Sequence, residues 1–529
     1  MTVAAPLSST LPQAVVASLK AIPSPLSVAA TPGYHFDNPE NPTIKSPAPL
    51  TVDSSRFLHV QGKHICLEGK PMVLRGACLG GWMMMENFMT GFPGHEHQLR
   101  AGMLKALGKE KYELFFDKFL EYYFTEADAQ AFKNAGFNFI RLGVNYRHFE
   151  DDSNPRVFKY EGLKHLDRVV DLASNLCARY GIYSVIDLHA LPGGQNTDFH
   201  CDNPTDKALF WVHKDFQDRA VNIWEHLAEH YKNNPWVAGY NALNEPVEES
   251  GEILVSVMKR IENAIRAIDP YHILFWDGNG FASDFRQFKE PLPNSVYSCH
   301  DYSSMGLPNN PQYTGTDEDK AKLVQSIEWK TEFQRAHNAP IWNGEFGPTY
   351  VDTDTKGHEE INAQRYELLQ EQLRLYDTYP NISWTVWCWK DIGICGVVHP
   401  SPDSKYMKLI KPFLEHKKRA CVDSWGVDAS HLDRLFKPMW EWLCEEAPSM
   451  RYKYPKVFAG DRGKHLFRPV RMCLLAEELV PEFCALLTGK SHEELDAIAK
   501  SFHLDNCTPR TKLLSALTQH AKAGPTSSV

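Results

Sequence analysis

Eight short apolar runs, each separated from the next by a longer segment of helical periodicity, constrain the fold of this chain more than any other feature. The runs have strand character and cover residues 72–79, 137–144, 182–189, 237–243, 273–277, 296–302, 340–345 and 383–389. Strict alternation of strands and helices requires a parallel sheet, and eight repeats close such a sheet into a barrel. The sequence therefore predicts an α/β fold of the TIM (β/α)8 class.

The segments between these runs have apolar residues at a spacing of three and four, which is typical of amphipathic helices. They cover residues 126–134, 163–180, 214–232, 253–267, 320–337 and 359–379. We expect these helices to pack around the outside of the barrel.

We place a catalytic barrel at residues 56–405. One region precedes it, one follows it, and a short lid lies at its start. Residues 1–55 are rich in Ser, Ala, Thr and Pro and poor in large apolar residues, which predicts a flexible N-terminal arm. Within the barrel unit, the segment from Phe57 turns at Gly62 and Gly69, as expected for a short β-lid of two strands over the barrel floor. Residues 406–529 have helical spacing, including a capping box at Ser491 and Glu494, and predict a small helical C-terminal extension that ends in a frayed tail.

Composition excludes several classes of partner. The net charge of −10 argues against a protein that binds nucleic acid or an anionic membrane surface, because both need a basic face.

The 12 cysteines show no C-x-x-C spacing and indicate reduced, buried thiols. The N-terminus lacks a continuous apolar signal region, and no run of about 20 apolar residues predicts a membrane span, so we expect a cytoplasmic protein. The sequence does not indicate an oligomeric state.

Catalytic groups in such barrels lie at the carboxyl ends of the strands, and polar residues cluster there in this chain. The strand ends carry Trp82, Arg141, Asn145, Asp187, His189, Asn244, Glu245, Asp277, His300, Tyr302, Glu345 and Trp389. This clustering predicts an active site in the mouth of the barrel.

Glu245 and Glu345 follow the fourth and seventh runs, so their side chains are expected to face each other across the mouth. Two carboxyl groups about 5 Å apart fit a retaining glycosidase, and a wider gap fits an inverting one. One glutamate would then act as the acid and the other as the nucleophile, without a cofactor. The alternative for each is a structural ion pair.

Residues close to the two glutamates are candidate substrate ligands. The amide of Asn244 can bond the sugar 2-hydroxyl as charge develops in the transition state. Arg141 can keep Glu345 ionised, while His300 and Tyr302 can donate to a carboxylate or to a sugar hydroxyl. A structural role remains open for His300.

Aromatic and acidic residues at the edge of the mouth are further candidates. We expect Trp389 to form the floor of the sugar site, and Trp384 and Trp387 to pack in the core. Trp82 and Glu86 follow the first strand, and the carboxylate of Glu86 can bind terminal hydroxyls and close the site into a pocket.

Metal and nucleotide sites are not indicated. His189, His200, Cys201 and His213 are close in sequence, but none has the spacing of a known metal site. The segment LPGGQN lacks the glycine pattern and the lysine of a phosphate loop.

Taken together, the motifs RGACLGGW, IRLGVNYRHFE, DLHALPGGQN, NPWVAGYNALNEP, HDY, NGEFGP and WCWK resemble those of glycoside hydrolase family 5. The resemblance covers residues 57–400 and implies Glu245 as acid/base, Glu345 as nucleophile, and a sugar-binding shell. That shell consists of Arg141, His189, Asn244, His300, Tyr302 and Trp389. The segments GGWMMMENFMTGFPG, YRHFEDD, LFWVHKDFQDRA and FWDGN look most like subfamily 18, whose members are exo-acting β-mannosidases, and LHALPGGQN is similar to the exo-β-1,3-glucanase branch.

The sequence thus predicts a retaining exo-β-glycosidase that removes a terminal sugar, preferably mannose, from short β-linked oligosaccharides or glycan fragments. Three alternatives remain open: an exo-β-glucosidase or β-1,3-glucanase, a transglycosidase, and a catalytically silent carbohydrate-binding barrel.

Overall fold

A computed structural model describes residues 47–174, 180–308, 310–379, 382–423, 428–451 and 467–523. Most of the expected N-terminal arm, residues 1–46, and most of the expected frayed tail, residues 524–529, lie outside these ranges.

A small antiparallel sheet precedes the barrel. Its strands are β1 (His59–Gln61), β2 (His64–Leu67) and β3 (Lys70–Met72), one more strand than the sequence predicts. The third strand forms because Glu68 and Gly69 both adopt positive φ angles, of 51° and 74°, which turn the chain back onto β2. Ile65 of this sheet packs in one apolar cluster with Phe139, Phe275 and Trp342. The sheet therefore covers the barrel floor, as predicted.

Eight parallel strands form a closed barrel in chain order, which confirms the TIM-barrel prediction. The strands are β4 (Arg75–Cys78), β5 (Phe139–Asn145), β6 (Tyr183–Ala190), β7 (Val237–Asn241), β8 (Ile273–Asp277), β9 (Ser295–His300), β10 (Ile341–Glu345) and β11 (Ser383–Val386). Each lies within or close to a predicted run. Because parallel strands run in one direction, their carboxyl ends meet at one rim, opposite the floor sheet.

Helices connect the strands and surround the barrel. Up to the end of the last barrel strand they are α1 (Asn87–Thr90), α2 (Glu96–Leu107), α3 (Lys109–Tyr123), α4 (Glu126–Ala135), α5 (Leu163–Ser174), α6 (Lys214–Tyr231), α7 (Glu252–Arg266), α8 (Asn279–Ala282), α9 (Asp317–Lys330), α10 (Glu332–Ala336) and α11 (His358–Tyr376). The helix predicted at 320–337 begins earlier, because Thr316 caps its first turn, and divides at Thr331. Every helix in the described ranges is too short or too polar to cross a membrane.

The C-terminal extension is helical, as predicted, and packs closely on the barrel. Strand β12 (Val398–Pro400) lies at the end of the barrel unit. The elements that follow it are α12 (Lys405–Ala420), α13 (Asp433–Glu446), the π-helical turn Arg468–Leu475, α14 (Ala476–Ala485), α15 (His492–Ala499), β13 (Cys507–Pro509) and α16 (Thr511–Ala523). Strands β12 and β13 pair in antiparallel fashion. The ring of Phe502 packs against Phe119 and Tyr123 of α3, with centroid distances of 4.9 and 5.5 Å. The extension thus shares its core with the outer helices of the barrel.

Candidate active site

The two predicted glutamates meet in the barrel mouth. Glu345 is the last residue of β10, and Glu245 lies four residues beyond the end of β7. One oxygen of each carboxylate and one ring nitrogen of His300 all lie within 4.8 Å of one another. This separation matches the two-carboxylate geometry of a retaining glycosidase.

Glu245 has a positive φ of 45°, a conformation that non-glycine residues rarely adopt and that concentrates at functional sites. Its backbone N–H donates to Oδ2 of Asp277 over 2.9 Å, which holds the turn in place. The carboxylate of Asp277 at the end of β8 thereby determines where the side chain of Glu245 points.

Glu345 is surrounded by hydrogen-bond donors. Nη1 of the fully buried Arg141 donates to Oε1 of Glu345, and the hydroxyl of Tyr302 donates to Oε2 over 2.8 Å. Burial raises the pKa of Glu345, the nearby His300 and Arg141 oppose this rise, and the result is a pKa of about 6. Glu345 is therefore ionised at neutral pH, as a nucleophile must be.

Glu245 stands in more acidic surroundings. Burial raises its pKa to about 8, assisted by the negative charges of Asp277 and Asp198. Nδ1 of His300 lies 2.6 Å from Oε1 of Glu245. Glu245 therefore carries its proton at neutral pH, which is the state that a general acid requires.

Arg141 joins several of the predicted residues. Its Nη2 donates to Oδ1 of Asn244 over 2.6 Å and to Oδ1 of Asn241 over 2.9 Å, and it lies 3.2 Å from Oδ2 of Asp187. Nδ2 of Asn244 is buried and has no hydrogen-bond partner among the described residues. The site therefore holds a free amide donor beside the acid, as a contact to the sugar 2-hydroxyl requires.

His189 lies beside Asp187, which pairs with Arg141, and contacts a tryptophan that was expected to pack in the core. Nδ1 of His189 lies 2.6 Å from Oδ2 of Asp187, and its ring stacks on Trp387 at 5.3 Å and 15°. Trp387 belongs to an apolar cluster against which Tyr302 packs, and the hydroxyl of Tyr302 donates to Glu345. Trp387, and not Trp389, is the tryptophan that lies at the site.

The structure places Trp389 and Trp82 away from the mouth, which corrects both predictions. Nε1 of Trp389 donates to Oδ1 of Asp128 over 2.8 Å, and its ring packs on Phe132 at 4.6 Å, so the side chain lies under α4. Side chains alternate between the two faces of a sheet only within a strand, and β11 ends at Val386. The sequence therefore could not show whether Trp387 or Trp389 faces the barrel mouth.

Trp82 packs against α3, where its Nε1 donates to the backbone oxygen of Leu120 over 3.0 Å. Gly81, with a φ of 75°, turns the chain out of β4 just before this residue. Trp384 is fully buried, as predicted.

Glu86 is buried close enough to Glu245 and Glu345 for their charges to act on it. Its side chain is 5% exposed, and no hydrogen bond to it is formed by the described residues. Burial raises its pKa well above the ordinary value, and the charges of Asp198, Glu345 and Glu245 add to this rise. Glu86 thus lies within electrostatic reach of the catalytic pair and offers a buried carboxyl group to a ligand.

Sequence analysis overlooked His200 as an active-site residue, considering it only as a metal ligand. Its Nε2 lies 3.6 Å from Oε2 of Glu245, and its ring contacts the ring of His189 at 5.2 Å. Burial lowers its pKa to about 3, so the ring is neutral. The motif DLHALPGGQN ends at Asn196, four residues before His200, and gave no sign that a later residue of the same loop lies beside Glu245.

Two clusters of described residues have enough donor atoms for a metal ion. One is the catalytic group of Glu245, His300 and Glu345. The other consists of Cys388, Asp391 and Cys395, where the Asp391 carboxylate already accepts three backbone N–H bonds from the loop at 393–395. Burial raises the pKa of Cys388, and the pKa of Cys395 is about 11, so both thiols keep their protons and are poor ligands. The expectation of a metal-free site stays a prediction.

Comparison with known proteins agrees with this geometry. The family model described as Cellulase (glycosyl hydrolase family 5) matches residues 106–393. A relative named beta-xylosidase, from Phanerodontia chrysosporium, is 48% identical over 475 residues, which cover 88% of this chain and 98% of the relative.

More distant matches bear other names. Endoglucanase C from Acetivibrio thermocellus is 30% identical over 334 residues, covering 55% of this chain and 91% of the relative. A probable glucan 1,3-beta-glucosidase A from Aspergillus fumigatus is 29% identical over 365 residues, covering 61% of this chain and 84% of the relative. Among solved structures, the rutinosidase from Aspergillus niger matches with 16% identity and a TM-score of 0.45, over 61% of this chain and 92% of that one.

Proposed function

Because the chain belongs to glycosyl hydrolase family 5, we propose that it is a retaining exo-β-glycosidase that removes one terminal β-linked sugar from short oligosaccharides or glycosides. The observation that carries this proposal is the approach of Glu245 and Glu345 to within 4.8 Å, with His300 between them. This separation leaves room for an anomeric carbon but not for an additional water molecule, which an inverting enzyme needs.

The first chemical step forms a covalent intermediate. The ionised carboxylate of Glu345 attacks the anomeric carbon while protonated Glu245 gives its proton to the departing glycosidic oxygen. The carbon–oxygen bond to the leaving group breaks, the glycosyl–Glu345 ester forms, and the aglycone leaves as an alcohol.

The second step reverses these roles. Glu245, now ionised, removes a proton from water, and the resulting oxygen attacks the anomeric carbon. The ester to Glu345 breaks, and a sugar of the original β configuration leaves. Two inversions at the same carbon give net retention.

Three neighbours assist these steps. Arg141 and Tyr302 donate to Glu345, which keeps it ionised before attack and stabilises it as a leaving group afterwards. The free Nδ2 of Asn244 donates to the 2-hydroxyl, where a hydrogen bond strengthens as the transition state develops.

Exo action rests on Glu86. Its buried carboxyl has no partner among the described residues and lies within electrostatic reach of both catalytic glutamates. Hydroxyl groups at the non-reducing end of the sugar would form hydrogen bonds with the Glu86 carboxyl. The same side chain would block any further sugar unit beyond that end, so only a terminal sugar could bind.

For the sugar itself we propose β-xylose first, because the relative that matches nearly the whole chain is named beta-xylosidase. The β-mannoside predicted from the sequence motifs, and the β-glucoside of the glucanase branch, are the competing substrates. All three present an equatorial glycosidic oxygen to the same pair of carboxylates.

A panel of nitrophenyl glycosides tests this function. We expect release of nitrophenol from the β-xyloside, with lower kcat/KM for the β-mannoside and β-glucoside and none for the α-xyloside. Proton NMR should show the β-anomer of the free sugar before mutarotation. Preference for the mannoside would restore the original prediction of the sugar. The α-anomer as first product would contradict the retaining mechanism.

The same assay separates the remaining alternatives. A silent carbohydrate-binding barrel binds sugar without turnover, and a transglycosidase gives glycosides of an added alcohol at the expense of free sugar.

For the cellular compartment we propose the cytoplasm, since the 11 cysteines in the described part of the chain are all free thiols. Thiol titration of the protein purified without reductant should find them reduced.

A further inference from the structure

The C-terminal extension contacts the loop that follows β6 through one arginine. Arg468, the first residue of the π-helical turn, donates from Nη1 to Oγ1 of Thr197 over 2.8 Å and from Nη2 to the carboxylate of Asp198. The arginine side chain is 17% exposed and that of Asp198 is 21% exposed. A planar guanidinium engaged at two nitrogens restricts the orientation of the segment it binds.

From this contact, hydrogen bonds continue to the backbone of the acid/base. The backbone N–H of Asp198 donates to Oδ1 of Asn196 over 2.7 Å. Nδ2 of Asn196 donates to the backbone oxygen of Glu245 over 2.8 Å and lies 2.7 Å from Nε2 of His200. Asn196 therefore connects the segment held by Arg468 to the peptide group of Glu245.

The positive charge of Arg468 also helps to keep the Asp198 carboxylate ionised. Burial raises the pKa of Asp198, but Arg468, His200 and the backbone N–H of Phe199 together outweigh this effect, and the pKa lies below its ordinary value. Asp198 therefore remains an anion close to Glu245 and Glu86, both of whose pKa values it raises. Without Arg468, a partly buried carboxylate beside the active site would lose its counter-ion.

We propose that Arg468 is a positioning residue for the acid/base Glu245, so that the C-terminal extension completes the active site instead of only covering the barrel. Arg468 acts through Thr197, Asp198 and Asn196, and no direct contact with the substrate is needed. This inference rests on the proposed function, in which Glu245 protonates the leaving group.

A leaving-group comparison distinguishes this role from general support of the fold. Acid assistance is essential for a sugar or alkyl leaving group but hardly needed for dinitrophenolate, which leaves without a proton. Because kcat/KM reports the steps up to glycosylation, a misplaced acid lowers it for the disaccharide and spares it for the dinitrophenyl glycoside. A damaged pocket lowers both values.

The experiment uses the full-length chain with Arg468→Ala, with Arg434→Ala as a control at an exposed position of the same extension. For Arg468→Ala we expect kcat/KM to fall about 10- to 100-fold for the disaccharide and less than about threefold for the dinitrophenyl glycoside of the same sugar. Arg434→Ala should change neither value.

Should Arg468→Ala not fold, Arg468→Lys and Thr197→Val provide the same test. The first replaces the two-nitrogen contact with a single ammonium, and the second removes the hydroxyl that accepts from Nη1, each with little change in volume. Equal losses on both substrates, or no loss on either, would overturn the proposal. Failure of the proposed function has a different signature: the unmodified chain would cleave neither substrate, or Glu245→Ala would show no difference between the two leaving groups.

Discussion

Oδ1 of Asn244 accepts a 2.6 Å hydrogen bond from Nη2 of Arg141, and this bond determines what the rest of the Asn244 amide can do. With the oxygen engaged, the buried Nδ2 remains as a donor without a partner among the described residues. A buried donor of this kind is costly unless a ligand satisfies it. We therefore expect Nδ2 to bind the substrate.

Replacing Asn244 with Ala should therefore lower kcat/KM by about 100-fold, the range found when one preorganised transition-state donor is removed. KM should change little, because the bond to the 2-hydroxyl strengthens mainly in the transition state. The matched control is a 2-deoxy substrate, on which the variant and the unmodified enzyme should be equally slow. A full additional loss on the 2-deoxy substrate would show that Asn244 acts elsewhere.

Replacing Glu245 with Ala should abolish hydrolysis of disaccharides but leave attack on a dinitrophenyl glycoside nearly intact, because only the former needs a proton donor. The second step would then be slow, since no base activates water. Added azide, which needs no base, should restore turnover and give the β-glycosyl azide, identified by NMR. Formation of the α-azide would contradict the assignment of Glu345 as nucleophile.

The pH profile follows from the different pKa values of the two carboxyl groups. Below a pH of about 6 Glu345 becomes protonated and loses its nucleophilicity, and above a pH of about 8 Glu245 loses the proton that it must donate. We expect a bell-shaped dependence of kcat/KM with its maximum between these values. For Glu245→Ala on a dinitrophenyl glycoside the basic limb should disappear and the acidic limb remain. Loss of the acidic limb instead would reverse the two roles.

A buried ion pair within the barrel unit, one partner of which also bonds the extension, predicts a stability effect. Nζ of Lys390 lies 2.9 Å from Oδ1 of Asp128, and both side chains are fully buried. The same Nζ donates to the backbone oxygen of Phe502 in the extension. Replacing Asp128 with Asn leaves a buried ammonium without its counter-charge and should lower the free energy of unfolding by about 3 to 5 kcal/mol.

Urea denaturation followed by tryptophan fluorescence measures this change. The control is Asp403→Asn, which removes an exposed partner of Lys408 and should have no measurable effect. If both variants unfold at the same urea concentration as the unmodified protein, the ion pair contributes nothing to stability and the prediction is wrong.

The sequence predicted the barrel because its strands are short apolar runs that alternate with helical segments, and several of the runs end in or lead into a polar residue. Glu345 illustrates this, since it ends the apolar run 340–345 and is the last residue of β10. The same pattern predicted Arg141 and His300 at strand ends. His300 is the last residue of β9 and lies beside Glu245, whereas Arg141 is the third residue of β5 and reaches Glu345 from within that strand. Strand ends were sufficient for Glu345 and His300 because a closed barrel brings all strand ends together.

Residues outside regular strands could not be placed in this way. The segment TVWCWK holds two tryptophans after the last strand residue, and which of them faces the site depends on a turn that periodicity does not describe. The structure favours Trp387 because its ring stacks on His189, whereas Trp389 donates to Asp128. The contact of Arg468 with Asp198 spans 270 residues and joins two irregular segments, so no local pattern could indicate it.

The covalent intermediate on Glu345 tests the central claim most directly. A 2-fluoro glycoside with a good leaving group should inactivate the enzyme, because fluorine slows the second step more than the first. Peptide mass spectrometry should then find one fluoroglycosyl group, on the peptide that contains Glu345, and Glu345→Gln should remain unlabelled. Labelling of a different carboxylate would contradict the assignment of Glu345 as nucleophile. Inactivation without any covalent sugar would contradict the double-displacement mechanism.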